Sequence, residues 1–163
     1  MITLYHGSNV EIDHICLEKC NPYKDFGRGF YLTDIYDQAK QMAHRRTRIA
    51  GEGKPIVTSY EFNEDLLVDK SLNVRIFDEP SKEWALFILE NRYNGIKHDF
   101  DIVIGPIADD GVAFQLELYT RKMITIDMLI KELTYRKLNR QYYFGTELSI
   151  SKLKKICQNK NCF

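Results

Sequence analysis

The sequence predicts a single domain of the α+β class, and two observations lead to that prediction. The chain has 163 residues, of which 44% are hydrophobic and 12% aromatic, so it has the usual size of one domain and enough apolar material for one core. Strand-like and helix-like segments do not alternate regularly, which argues against a doubly wound parallel sheet. We expect the domain to span residues 1–158 and a short tail to follow at residues 159–163.

The strands are predicted from segments rich in β-branched and aromatic residues that turn residues bound. They are expected at residues 2–6, 29–33, 55–62, 66–69, 74–77, 102–104 and 142–144. Residues 9–24 carry turn-forming residues and predict a loop-rich crossing between the first two strands. Gly105 and Pro106 are expected to end the strand that precedes them.

The helices are predicted from capping residues and helical periodicity. Asp34 and Thr125 are each expected to cap a helix, and Pro80 and Ser81 are expected to open another helix between these two. The first is expected to end near Gly51 and Gly53, and the second at Gly95. Residues 112–119 fit a helix or a strand, and a terminal helix is expected after residue 144.

The charge and the N-terminus narrow the class of partner. Lys and Arg number 23 and Asp and Glu number 23, so the formal net charge of zero provides no global basic field for nucleic acid or membrane. The first residues lack the basic start and apolar run of a secretory signal, and no apolar stretch reaches membrane-spanning length. We therefore expect a cytoplasmic protein that does not bind a membrane.

The four cysteines form two loose pairs near the ends of the chain. They are Cys16, Cys20, Cys157 and Cys162. A zinc site closed between the pairs is one interpretation, but neither pair has the two-residue spacing of common zinc sites. Reduced structural thiols are the favoured interpretation, and we expect no metal.

The first candidate site segment is His6-Gly7-Ser8, at the end of the opening strand. A histidine there is, taken alone, more often a core residue with satisfied hydrogen bonds. The neighbouring glycine has no Cβ, so a flat ligand can approach the backbone N–H and C=O closely. A carboxamide, which both donates and accepts, suits that pair of groups.

The second candidate segment contains a Gly-x-Gly pattern, Gly27-Arg28-Gly29, followed by Phe30 and Tyr31. By itself the pattern is weak, since a bulge or tight turn that leads into an edge strand explains it. It is not a Rossmann dinucleotide fingerprint, because no strand precedes it and the third glycine is missing.

Together the two segments resemble the ADP-ribosyltransferase superfamily, in its His-Tyr-Glu branch that includes diphtheria toxin and the poly(ADP-ribose) polymerases. The stretch from Phe26 to Asp34 is similar to the polymerase-like Phe-Gly-Lys-Gly-Ile-Tyr-Phe-Ala-Asp, and His6-Gly7-Ser8 matches the motif that ends the branch's first strand. The same residues look like a family of small bacterial and phage proteins, some encoded beside antitoxins. The resemblance covers about the first fifth of the chain.

The resemblance implies a fold, a co-substrate and a set of roles. The fold is a split β-sandwich of two small, mostly antiparallel sheets with flanking helices, and the co-substrate is NAD⁺. His6 would bond the adenosine ribose, the Gly7 backbone would hold the nicotinamide amide, and Tyr31 would stack on the nicotinamide ring. The remaining NAD⁺-binding candidates are Ser8 beside His6, and Arg28 and Gly29 in the loop before Tyr31.

The main departure from the branch lies at Gln141, which precedes Tyr142-Tyr143-Phe144 where the family has a catalytic glutamate. Glutamine keeps hydrogen bonding to the nicotinamide ribose but lacks the charge and the base, and loss of a base can cost about 10²–10⁴ in rate. The substitution therefore favours transfer of one ADP-ribose, or binding without turnover, over polymer elongation.

Other acidic residues are candidates for the missing carboxylate. Glu147 lies six residues beyond Gln141, about 20 Å along an extended strand, and is expected in the first turn of the terminal helix. Gln115-Leu116-Glu117 copies the Gln-x-Glu signature of the arginine-modifying branch, which begins with Arg rather than His, so we treat it as a chance match. Asp109 and Asp110 are candidates for a base or an acceptor-binding group, and a turn with a helix cap is the alternative.

The predicted function is that of a mono-ADP-ribosyltransferase that cleaves NAD⁺ and transfers one ADP-ribose to a protein or nucleic acid, in the manner of a bacterial or phage toxin. Its further partner would be an antitoxin or immunity protein. The alternatives are a module that binds NAD⁺ or ADP-ribose without turnover, and an NAD⁺ glycohydrolase. The cluster Arg45, Arg46 and Arg48 is expected on a solvated helix face, with contact to NAD⁺ phosphates or nucleic acid as the alternative.

Overall fold

The chain folds into an α+β structure with two mostly antiparallel open sheets and, within residues 1–156 that a computed structural model describes, five helices. The strands are β1 (Ile2–Ser8), β2 (Phe30–Leu32), β3 (Ile56–Phe62), β4 (Val74–Ile76), β5 (Ile102–Pro106), β6 (Arg140–Phe144) and β7 (Lys154–Lys155). The helices are α1 (Tyr36–Ala50), α2 (Lys82–Leu89), α3 (Asp110–Thr120), α4 (Ile126–Thr134) and α5 (Glu147–Ile150). The predicted α+β class is confirmed.

The strands divide into a three-stranded sheet, ordered β1-β3-β7, and a four-stranded sheet, ordered β2-β6-β5-β4. Neighbouring strands are antiparallel except for β4 and β5, which are parallel. A bridge joins the two sheets, where Tyr5 and Thr33 exchange backbone hydrogen bonds of 2.8 and 2.9 Å. The edge strands β1 and β2 separate on one side of this bridge.

Two apolar cores lie on the two faces of the four-stranded sheet. Because side chains alternate along a strand, Phe30 and Leu32 face the core between the sheets, whereas Tyr31 faces the core under α2, α3 and α4. In the second core Trp84 is fully buried and its indole N–H donates to the Pro106 carbonyl oxygen at 3.1 Å. The two faces of edge strand β2 therefore contact two different cores.

Helix α1 packs on the face of the three-stranded sheet that points away from this first core. The contact is closest at Gly7, where a Cβ atom would overlap the Ala39 carbonyl oxygen and lie 2.8 Å from the Ala43 nitrogen. Ala39 and Ala43 are buried one turn apart on the same face of α1. Glycine at position 7 and alanine at both helix positions thus bring the helix directly against the strand.

Most predicted elements are confirmed. Strands occur at six of the seven expected places, and Ser81 and Thr125 cap α2 and α4 through their side-chain oxygens. Gly51 follows α1, and Gly95 follows a π-helical turn at Glu90–Asn94 that continues from α2; both glycines take the left-handed backbone. Residues 112–119, which the sequence left open, belong to helix α3.

Three local predictions are wrong and a fourth is confirmed only in part, and the predicted boundary after residue 158 lies outside the described residues. Asp34 does not cap α1, because Ile35 is the N-cap and Thr33 Oγ1 accepts from the Ile35 N–H at 3.1 Å instead. Residues 66–69 form no strand, since Asn63 caps a 3-10 turn at Glu64–Leu67. The helix expected after residue 144 is a single turn, α5. Gly105 and Pro106 lie inside β5 rather than beyond it.

The length and apolar character of the helices bear on the expectation that no segment spans a membrane. Of the helices in residues 1–156, none combines the length and the apolar character that crossing a bilayer requires.

Candidate functional site

The candidate site lies where strands β1 and β2 separate beyond the Tyr5–Thr33 bridge. If the pairing continued, Gly7 would lie opposite Tyr31, two residues further along each strand. The backbone N–H and C=O groups of successive residues point to opposite edges of an antiparallel strand, and those of Tyr5 point to β2. The N–H and C=O of Gly7 therefore also point away from β3 and into the gap, where they form no further backbone hydrogen bond with the described residues.

The His6 side chain crosses this gap. Its Nδ1 lies 2.8 Å from the Tyr31 carbonyl oxygen, which can only accept, so Nδ1 carries the hydrogen and Nε2 is left as an acceptor. The imidazole also stacks on Phe30, with ring centroids 4.3 Å apart. Burial lowers the pKa of His6 to about 4; the bond to Tyr31 opposes this shift, and the nearby cations Arg46 and Lys24 add to it. At neutral pH His6 is a neutral acceptor.

A cavity of about 780 Å³ opens beside His6. Ser8, Gly29, Phe30 and Tyr31 line one side of it, and the C-terminal half of α1 lines another. Its lining includes five further residues that are or can become cationic: His14, Lys19, Lys24, Arg45 and Arg46. No Asp or Glu of the described chain lines it. The cavity therefore suits an anionic ligand, even though the whole chain has no net charge.

Tyr31 is held in place by the loop that precedes it. Its hydroxyl donates to the Gly27 carbonyl oxygen at 2.7 Å and accepts from the Phe26 N–H at 2.9 Å. Burial raises the pKa of Tyr31, so the hydroxyl stays protonated. The Lys24 ammonium lies over the ring, 5.6 Å from its centroid. The ring face on which a nicotinamide would stack thus already attracts a cation.

Both glycines of the Gly-x-Gly segment have a local structural reason. Gly27 has a φ of +91°, a conformation that side chains disfavour, and a Cβ there would lie 2.8 Å from Asn91 Oδ1. A Cβ on Gly29 would overlap the ring of Tyr143, whose hydroxyl donates to the Arg28 carbonyl oxygen at 2.8 Å. The segment is therefore a tight loop wrapped around two tyrosines, and Gly29 also lines the cavity.

Gln141 lies in β6, on the same face of the sheet as Tyr143 and outside the cavity lining. Its Nε2 donates to Asp25 Oδ2 at 3.1 Å and to the Pro106 carbonyl oxygen at 3.3 Å. Asp25 in turn pairs with Arg92 Nε at 2.6 Å, and its side chain is only 14% exposed. Sequence reasoning missed Asp25, although an acid directly before Phe26-Gly27 was a signal that could have singled it out.

The two remaining cavity candidates are placed differently. Ser8 is buried and lines the cavity, but its Oγ accepts weakly from the Val10 N–H at 3.4 Å rather than bonding His6. Arg28 is exposed, donates to the Glu18 carbonyl oxygen at 2.6 Å and does not line the cavity. In this arrangement Arg28 fixes the loop of residues 9–29 rather than facing a ligand.

Asp109 and Asp110 lie at the start of α3, apart from the cavity. Asp109 Oδ1 accepts from the Val112 N–H at 2.8 Å, so the helix-cap alternative describes this residue. Asp110 lies in the first turn of the same helix and is exposed. Glu117 lies near the other end of α3 and pairs with Arg121, whereas Glu147 lies in the first turn of α5, as predicted.

The two cysteines within the described residues lie in the cavity wall. Cys16 and Cys20 are free thiols that line it, and the Cys20 thiol donates to the Cys16 carbonyl oxygen at 3.5 Å. Burial raises the pKa of Cys20. Cys157 and Cys162 lie outside the described residues, so a zinc site shared with them is untested. Within residues 1–156, no three His, Cys, Asp or Glu side chains are grouped as metal ligands.

Comparison with known proteins places the chain in one family. The model of DUF3990, described as a protein of unknown function, matches residues 2–155. No curated protein and no solved structure matches the chain. The chemistry must therefore be inferred from the site itself.

Proposed function

We propose that this chain, which belongs to the DUF3990 family of proteins of unknown function, is an NAD⁺-dependent mono-ADP-ribosyltransferase with a split β-sandwich of the ADP-ribosyltransferase type. One observation carries the proposal. His6, the unpaired backbone edge of Gly7 and the Tyr31 segment, distant in sequence, meet at the gap between β1 and β2, beside a cavity with a cationic lining.

Each part of this gap matches a part of NAD⁺. A carboxamide both donates and accepts, and the Gly7 edge offers one acceptor and one donor pointing the same way. The adenosine ribose carries hydroxyl donors, and the neutral His6 ring offers Nε2 as acceptor. The nicotinamide ring of NAD⁺ is cationic and suits the Tyr31 ring face that Lys24 occupies in the structure.

The diphosphate of NAD⁺ is the part that the cavity charge favours. Arg45 and Arg46 project from α1 into the cavity wall, and Lys19 and Lys24 reach it from the loop of residues 9–29. The volume of about 780 Å³ lies within the range of about 300–1,000 Å³ that small-molecule sites occupy. Arg45 and Arg46, expected on a solvated helix face, are thereby candidates for phosphate contact.

The proposed reaction breaks the bond between C1′ of the nicotinamide ribose and the ring nitrogen. The bonding electron pair goes to the ring, which leaves as neutral nicotinamide, and positive charge develops on the ribose. A nucleophilic atom of the acceptor then bonds to C1′ and releases its proton to water. Residues that pin the ring and the ribose assist by orienting the glycosidic bond. A macromolecular acceptor and an inhibitory partner such as an antitoxin belong to the same proposal.

The experiment is incubation of the protein with labelled NAD⁺ and cell lysate. Label on macromolecules supports the transferase. Free ADP-ribose without labelled macromolecules indicates a glycohydrolase, and NAD⁺ that is bound but not consumed indicates a binding module. The binding module is the second candidate, because Gln141 offers no carboxylate at the position where the His-Tyr-Glu branch of ADP-ribosyltransferases has its glutamate.

Matched variants test the pocket. Tyr31→Ala should abolish labelling and NAD⁺ binding, whereas Tyr135→Ala should not, because Tyr135 is 85% exposed. Tyr31→Phe keeps the ring and should retain most binding provided that the variant folds, which thermal unfolding checks. If Tyr31→Ala and Tyr135→Ala bind NAD⁺ as well as the unmodified protein does, the pocket is assigned to the wrong place.

A further inference from the structure

The side-chain amide of Gln141 has a fixed orientation. An amide nitrogen carries two hydrogens, and the two acceptors near Nε2 are the Asp25 carboxylate and the Pro106 carbonyl oxygen. Turning the amide over would place its oxygen against both acceptors. Oε1 accepts no hydrogen bond from the described residues, and it is not sealed from solvent because Gln141 is only half-buried. An unoccupied acceptor is therefore held in a set direction.

Asp25 connects this amide to the loop that holds Tyr31. Asp25 immediately precedes Phe26 and Gly27, whose backbone groups bond the Tyr31 hydroxyl. Its two oxygens have different partners, since Oδ1 meets Arg92 and Oδ2 meets Gln141. Tyr31 and Gln141 lie on adjacent strands, on the same face of the sheet, and one short loop holds both side chains.

We propose that Asp25 and Gln141 together do what a single glutamate does in a transferase of the proposed kind. Gln141 Oε1 accepts the hydroxyl of the nicotinamide ribose, and Asp25, bonded behind it, polarises the amide and supplies the negative charge. Asp25 is a positioning residue, because it acts through Gln141 and does not touch the substrate. This inference rests on the function proposed above, and it adds a residue that the resemblance does not include.

The expected effect of the charge is moderate. The Asp25 carboxylate would lie about 8 Å from the ribose oxygen, because its bond of 3.1 Å to Nε2, the amide group and one further hydrogen bond separate the two. At an effective dielectric constant of about 20, a unit charge at that distance changes the rate of bond cleavage by about 30-fold. Arg92 lies on the far oxygen of the carboxylate and reduces this effect, so we expect Asp25→Asn to lower kcat about tenfold. The KM for NAD⁺ should change much less, because the charge acts on the developing positive charge and not on the bound ground state.

The test compares NAD⁺ consumption by the unmodified protein, Asp25→Asn, Gln141→Glu and the double variant. Gln141→Glu places two carboxylates side by side where a hydrogen bond of 3.1 Å joined an amide to a carboxylate, so we expect no gain in kcat. The double variant moves the single charge to position 141 and should recover kcat at least to the unmodified level. A merely structural role for Asp25 predicts no such recovery. The matched control is Asp78→Asn, which also breaks an Asp–Arg pair, but at an 86% exposed side chain.

The outcomes separate this inference from the proposed function. If the unmodified protein neither binds nor consumes NAD⁺, both are overturned. If it consumes NAD⁺ and Asp25→Asn retains full kcat, or the double variant is no better than the weaker single variant, only the role of Asp25 is overturned. Should Asp25→Asn fail to fold, Gln141→Glu still decides, because a kcat above that of the unmodified protein contradicts the pairing.

Discussion

The protonation state of His6 can be tested through the pH dependence of stability. The substitution is His6→Asn, since the asparagine amide can keep a donor to the Tyr31 carbonyl oxygen while it removes the titrating ring. The pKa of His6 is about 4 in the folded chain, against an ordinary value of 6.5. Between these values the unfolded chain binds a proton that the folded chain does not, so stability falls as pH falls from 6.5 to 4.

The magnitude follows from the two pKa values. Their difference corresponds to about 3 kcal/mol at full effect, and partial solvent access to the ring reduces this to roughly 2 kcal/mol. Urea unfolding at a series of pH values measures it. The quantity to compare is the free energy of unfolding of the unmodified protein minus that of His6→Asn, because the other titrating groups then cancel. We expect this difference to decline by about 2 kcal/mol from pH 7 to pH 4.

A flat difference over that interval would refute the argument, because it would mean that His6 ionises as readily in the folded chain as in the unfolded one. The same state has a consequence for ligand binding. A neutral Nε2 accepts from a ribose hydroxyl, so NAD⁺ affinity should be constant from pH 8 to about 5 and fall below that range.

Three further predictions concern the cavity and the packing of α1 against β1. Lys24→Met should raise the affinity for the 1-methylnicotinamide cation about two- to fivefold by calorimetry, because the Tyr31 ring face loses its resident cation; unchanged affinity would mean that the ring face is not used. Arg46→Ala should weaken NAD⁺ binding about tenfold and leave nicotinamide binding unchanged. Equal losses of affinity for both ligands would contradict a contact between Arg46 and a phosphate. Gly7→Ala should lower the free energy of unfolding by about 1–3 kcal/mol, because the Ala39 backbone cannot move away from the added Cβ. Denaturant titration measures this change, and an unchanged value would contradict the close packing of α1.

Local chemistry accounts for the elements that the sequence predicted well. The side-chain oxygens of Ser81 and Thr125 bond N–H groups three residues later, and Gly51 and Gly95 adopt the left-handed backbone, so each signal acts within one helical turn. The errors arise where a neighbour competes for the same role. Thr33 rather than Asp34 bonds the backbone at the start of α1. Such competition depends on backbone direction, which a pattern of residue types does not specify.

The candidate site was predictable where its residues are adjacent in sequence and not where distant segments meet. Both motifs were found, and the structure brings His6 to the Tyr31 segment at 2.8 Å. The link between Asp25 and Gln141 spans 116 positions and depends on the pairing of β6 with β2 and β5. The cationic cavity was also hidden, since a zero net charge conceals a one-sided distribution.

Gly7 shows why the ligand, rather than the protein, must be varied to test the proposed nicotinamide contact. Packing against Ala39 alone requires glycine at this position, so loss of binding in Gly7→Ala would follow from a displaced helix as well as from a lost ligand contact. The direction of the Gly7 N–H and C=O is the independent observation. An amide satisfies both groups, whereas a carboxylate satisfies only the donor and leaves the carbonyl facing negative charge. Nicotinamide should therefore bind at least tenfold more tightly than nicotinate, by about the free energy of one hydrogen bond. Equal binding in competition with NAD⁺ would remove Gly7 from the site and leave it as a packing residue.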